Sequence, residues 1–135
     1  MPRRRFSSFG FLGLFGRSED LRRIDATLRE VGLHRALVPE GAKLALSNLI
    51  KDAAGDEPNA EVYPHAVRLL AYCMLGPDGF ADANGGAALD DMQSRVDEAI
   101  AAEEGPDAAI VLLAHHAGLL QPSVVARHGI SVEQG

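Results

Sequence analysis

Apolar residues recur three and four positions apart along most of this chain, and at intervals a glycine interrupts them, often with leucine after it and proline soon beyond. Such punctuation restricts the chain to short amphipathic helices joined by tight turns. The first helix opens with Ser18 as N-cap and Glu19 and Asp20 in its first turn, where carboxylates meet the positive end of the helix dipole. Leu21, Ile24, Leu28 and Val31 share one face, Gly32 stops the helix, and Leu33 is the apolar residue that follows a glycine C-cap. Pro39 restarts a second helix, whose apolar face runs through Ala42, Ala45, Leu46, Leu49, Ile50 and Ala53 to Gly55, and residues 56–60 read as a loop. A third helix begins near Pro64, carries Val67, Leu70, Ala71, Met74 and Leu75, and ends at Gly76 and Pro77.

From Pro77 to Gly86 the chain is rich in Gly and Asp and reads as a linker, after which Leu89, Met92, Val96 and Ile100 mark a fourth, outwardly acidic helix closed by Gly105. Pro106 and Asp107 open a fifth, whose run from Ala108 to Ala114 is apolar on every side, the pattern of a central core element. Gly118 and Leu119 repeat the stop, and a short sixth helix runs from Pro122 to His128 before Gly129. No apolar/polar alternation of strand period competes with this reading. The expected fold is all-α, a compact orthogonal bundle of five or six helices in which residues 18–135 form a single domain behind an N-terminal arm, residues 1–17.

Composition fits that expectation. A 135-residue chain with 47% apolar and 24% charged residues can bury a core without disulfide or metal staples. The one cysteine, Cys73, lies in no Cys/His ligand spacing, which points to a reducing, cytoplasmic setting and a buried thiol. The net charge of −6 is uneven. Residues 1–17 hold four arginines and no acid, which leaves nine of the 13 basic residues against all 19 acids in the body. An acidic body repels phosphate backbones, so a nucleic-acid partner is not expected.

Each motif that suggests chemistry has a plainer explanation. Asp82, Asn84, Gly85 and Asp91 fit four slots of an EF-hand loop, but the first slot falls on Phe80, which offers no oxygen, and the last is a short Asp. A solvated Gly-Asn linker is favoured, and no metal site is assigned. His115, His116 and His128 fall in last helical turns, where a cation complements the dipole. His34 and His65 have no ligand partner at helical spacing, and His65 and Cys73 are separated by roughly 12 Å along a helix, too far for a Cys-His pair. Residues 113–127 partly follow a helix-turn-helix, but the second helix opens on Pro122 and presents only Arg127 and His128 to phosphates. Phosphate-binding glycine loops are absent, so neither catalytic residues nor a cofactor are assigned.

The unusual segment is the arm itself, which holds four of the five phenylalanines. Arg3, Arg4 and Arg5 precede Phe6, Phe9, Phe11, Leu12, Leu14 and Phe15, and the stretch enters Arg17, Glu19 and Asp20 without a small-x-small cleavage site. As a helix, residues 6–15 would span about 15 Å, half of a hydrocarbon core of roughly 30 Å. The arm can cover its own bundle, insert shallowly in a membrane interface, or dock in a protein groove.

The functional expectation is a non-catalytic interaction module, an adaptor or accessory subunit, that meets a protein partner or a second copy through the arm. One alternative is peripheral attachment to the inner face of a membrane. A third reading, a small-molecule-binding or enzymatic domain, would draw on an inter-helix pocket of Tyr63, His65, Tyr72 and Cys73.

Overall fold

A computed structural model of the chain describes residues 19–54 and 61–130, and within them every regular element is helical. Helix α1 covers residues 19–30, followed by a 3-10 turn at Arg35–Leu37, α2 at Glu40–Ala54 and α3 at Val62–Asn84. Then come α4 at Gly86–Ala102, α5 at Pro106–His116 and α6 at Pro122–His128. Buried side chains from all six helices form one contiguous core. None of these helices is long and apolar enough to cross a membrane.

The glycine-plus-apolar punctuation works through one device. At the end of α1, the Gly32 N–H donates to Arg29 O (3.2 Å) and the Leu33 N–H to Leu28 O (2.9 Å). Gly32 has φ +86° and Leu33 is buried, so the last carbonyls are satisfied while the leucine seals the core. α5 ends the same way, with Gly118 N–H on His115 O and Leu119 N–H on Ala114 O.

Helix α3 is the hub of the bundle, packing against α2, α4, α5 and α6. This corrects the expectation that α5 is central, because the all-round apolar run of α5 leaves Leu112 56% exposed. A second correction concerns residues 77–84, which are helical rather than a linker. The helix does break at Gly76 (φ +80°, ψ 172°), but Pro77 restarts it at once. Pro77 has no N–H for the Cys73 carbonyl, and the backbone N–H of Gln121 supplies the missing donor at 2.9 Å. The restarted piece is held by fully buried Phe80, edge-on to Tyr72 with ring centroids 5.9 Å apart. Asn84 secures its end by donating from Nδ2 to Val31 O at 3.0 Å. Gly85 alone (φ +96°) then joins α3 to α4, so Asp82 and Asn84 lie on a helix and not in an ion-binding loop.

Gly76 cannot be replaced cheaply. Its φ is hostile to a side chain, and a Cβ there would stand 2.7 Å from Ser123 Oγ. Gly76→Ala should therefore lower unfolding free energy by about 1–3 kcal/mol. Gly41→Ala, in α2 with open space around it, should raise it by up to about 1 kcal/mol. Urea titration of the two variants checks the contrast.

Candidate functional site

Among the described residues, three polar networks and an apolar cleft carry most of the side-chain chemistry of the bundle. The first network centres on Asp20 in the first turn of α1. Its carboxylate accepts the Tyr63 hydroxyl at 2.9 Å and the Ser47 hydroxyl at 3.3 Å, and pairs with Lys51 Nζ at 2.6 Å. Burial pushes this carboxyl up, but the Lys51 ammonium and the Tyr63 and Ser47 hydroxyls outweigh it and hold it below its ordinary value. Tyr63 is raised by the same burial and by the carboxylate its proton faces. Lys43, one turn before Ser47, pairs with Asp25 at 2.7 Å. Lys43, Ser47 and Lys51 thus form an i, i+4 polar stripe that runs antiparallel along α1.

The second network fixes α4 against α5. Arg95 shares the apolar face of α4 with Met92, Val96 and Ala99. Its guanidinium grips Asp107 bidentately, Nε to Oδ2 at 3.0 Å and Nη2 to Oδ1 at 2.8 Å, while Nη1 donates to the His65 carbonyl at 2.8 Å. The third network is a chain of Asp97, His128 and Tyr72. His128 Nδ1 stands 2.7 Å from Asp97 Oδ1 and Nε2 stands 2.8 Å from the Tyr72 hydroxyl. That order, carboxylate to imidazole to hydroxyl, resembles a proton relay, but Tyr72 is completely buried and the His128 side chain is 1% exposed. No substrate can reach the hydroxyl, and the chain ties α3, α4 and α6 together.

The cleft opens at the end of the bundle where α2 and α4 finish and α3 and α5 begin. It is a cavity of about 430 Å³, open to solvent, with Leu49 and Ile50 of α2, Val62 and Ala66 of α3, Ala99 of α4 and Ile110 of α5 on its walls. The Arg95–Asp107 pair lies on one side, and His65, Glu98 and Glu104 also border the space. The His65 imidazole is lowered by burial and then by the adjacent Arg95 charge, which favours its neutral form beside the apolar wall. Glu98 and Glu104 have no ion-pair partner among the described residues.

Of the four residues expected to line a pocket, His65 borders this cleft and the other three do not. Tyr63 is spent on Asp20, Tyr72 on His128, and Cys73 is fully buried with its thiol pushed up to about 12 by desolvation. Arg3, Arg4, Arg5, Phe6, Phe9, Phe11, Leu12, Leu14 and Phe15 lie outside the described residues. His115 and His116 sit in the last turn of α5 and His128 in the last turn of α6, as their spacing suggested, and the His128 side chain is in addition buried and hydrogen-bonded. The described residues hold no cluster of three or more His, Cys, Asp or Glu side chains fit to hold a metal ion. Sequence reasoning missed Arg95 and Asp107. The available signal was a lone arginine on the apolar stripe of an otherwise acidic helix, since such a residue must find a buried counter-charge.

Compared with protein-family models, curated proteins and solved structures, the chain matches none of them significantly.

Two measurements test the polar networks. The Asp20 carboxyl titrates below its ordinary 3.8 when folded, so on acidification the unfolded chain takes up that proton first. The stabilisation is whole above about pH 4 and fades as pH falls through the lower, folded value. Asp20→Asn should therefore destabilise the protein at pH 7 and flatten the acid limb of its stability between pH 5 and 2, read as urea midpoints. His128→Phe should cost about 1–3 kcal/mol by leaving the buried Tyr72 hydroxyl short of a partner. Adding Tyr72→Phe should recover part of that loss in a double-mutant cycle.

Proposed function

We propose that this chain is a non-catalytic interaction module whose α2–α5 cleft takes a short protein segment with large apolar side chains next to basic ones. The observation that carries this reading is how the cleft divides its chemistry. Its walls are apolar, its strong cation Arg95 is already neutralised by Asp107, and Glu98 and Glu104, which have no ion-pair partner among the described residues, stand at its border. An aromatic or branched side chain entering the cleft gains roughly 1.5–3 kcal/mol by leaving water. Arginine or lysine beside it meets Glu98 and Glu104, which favours encounter and orientation more than raw affinity.

A reactive centre finds little support beside this. The Cys73 thiol and the Tyr72 hydroxyl are both completely buried, and His65 stands in the cleft with no nucleophile to activate. The alternative of membrane attachment draws on the arm alone, through its arginines and phenylalanines.

Titration of the ¹⁵N-labelled full chain with the peptide acetyl-Arg-Arg-Phe-Leu-Phe-amide tests the proposal. The arm phenylalanines Phe9, Phe11 and Phe15 are changed to Ser so that they cannot compete. Saturable shifts are expected at the amides of Ile50, Ala66, Ala99 and Ile110, and affinity should fall at least threefold when Glu98 and Glu104 are both changed to Lys. Unchanged spectra at millimolar peptide refute the proposal.

A further inference from the structure

The α2–α5 cleft presents apolar walls that are open to solvent. We infer that it is occupied by the chain's own N-terminal arm, residues 6–15 of the same molecule, so that a partner must displace it. This rests on the reading of the cleft given above and adds its regulation.

The placement of α1 carries the inference. Asp20, in the first turn of α1, is bonded to Lys51 near the end of α2 and to Tyr63 at the start of α3. The cleft is walled by the same stretches one helix face around, Ile50 on α2 and Val62 and Ala66 on α3. The arm therefore enters the described structure at the end of the bundle where the cleft opens. At most about 3.3–3.6 Å per residue, the tether lets Phe15 reach up to roughly 14 Å from Glu19, and Phe11 and Phe9 up to roughly 29 and 36 Å.

Chemistry matches the reach. Four phenylalanines and two leucines fall within residues 6–15, and a cavity of about 430 Å³ has room for about two aromatic side chains. The body's charge is acidic while Arg3, Arg4 and Arg5 sit just before Phe6, so with the phenylalanines inside, the arginines fall near Glu98 and Glu104. The second apolar surface, at Ile100, Leu112 and Ile130, competes less well. It borders the end of α4, the middle of α5 and the exit of α6, and none of its lining residues lies on the α2 and α3 stretches that Asp20 contacts.

A spin label on Ser8→Cys in the full chain tests this. The label goes to residue 8 alone, because Cys73 is completely buried with its thiol pushed up to about 12. In the ¹⁵N-labelled protein, the amides of Ile50, Ala66, Ala99 and Ile110 should lose at least half their intensity relative to the reduced label. A mixture of unlabelled-nitrogen, spin-labelled chain with ¹⁵N chain lacking the label should show no such loss. Adding Ala102→Arg, on the exposed border of the cleft, should restore at least half of the lost intensity.

Loss of equal size in the mixture would mean that the arm docks on a second copy and would overturn the inference. So would loss confined to Ile100, Leu112 and Ile130, or none at all. The triple Phe→Ser chain should also bind the Arg-Arg-Phe-Leu-Phe peptide at least threefold more tightly than the unaltered chain, since self-occupation taxes the partner's affinity. If that chain takes the peptide while the label leaves the cleft amides untouched, only the present inference fails. If neither effect is seen, the cleft reading fails with it.

Discussion

The rest of the structure depends on one unfilled valence at the middle of α3. Pro77 deprives the Cys73 carbonyl of its helical donor, and a buried carbonyl without a partner costs free energy comparable to a lost hydrogen bond. The Gln121 N–H supplies that bond and thereby sets where α6 begins. From there the consequences are steric. Ser123 of α6 sits so close to Gly76 that no side chain fits at the kink, and His128, at the other end of α6, is brought onto the Tyr72 hydroxyl. The kink also turns Phe80 back into the core against Tyr72 and carries Asn84 to the last carbonyls of α1. A break that looks like a terminus is in fact the joint that ties α1, α3 and α6 together.

That joint also explains where the sequence was legible and where it was not. Helical period and glycine punctuation are local properties, so α1, α2, α4, α5 and α6 could be read from spacing, and the Gly-Leu pairs stop helices by the expected hydrogen bonds. Residues 77–84 misled because Gly-Pro, Asp and Gly signal loops. What makes them helical is non-local: the burial of Phe80, and a donor from Gln121 more than forty residues on. The central place of α3 was hidden for the same reason, since an apolar run on α5 does not say which neighbours surround it. Residue type likewise understated His128, because its position in a last turn explains a capping imidazole as well as it explains a buried link in a polar chain.

The polar side chains divide into those the fold consumes and those it leaves over. Asp20, Lys51, Ser47 and Tyr63 satisfy one another, as do Arg95 and Asp107. Such groups are costly to bury alone and unremarkable once paired. Tyr63 and Tyr72, two of the residues that first suggested a pocket, are consumed in this way, which is why the cleft forms beside them rather than around them. None of these pairings is visible in sequence spacing, because every one spans different helices. The Arg95 case was nearest to legible, since a charge among Met92, Val96 and Ala99 demands a counter-charge somewhere in the bundle.

What remains over is an open apolar cleft bordered by carboxylates that have no ion-pair partner among the described residues, in an acidic body whose sequence carries a basic, aromatic arm. Oppositely charged parts of one chain attract over roughly a Debye length of about 8 Å in physiological salt, and on the inference drawn above the tether would present the arm to the opening at high effective concentration. On the same inference, a competing segment from another protein would have to overcome that local concentration, and so bind with more contacts, or with better-placed ones, than the arm itself. The glycines at 10, 13 and 16 bear on this balance. Ordering them costs conformational entropy, which weakens the arm as a ligand for its own cleft, and a stiffer partner segment with the same side chains would hold the advantage. On that argument the arm is suited to a weak occupant that keeps the apolar walls from water yet yields to a better fit.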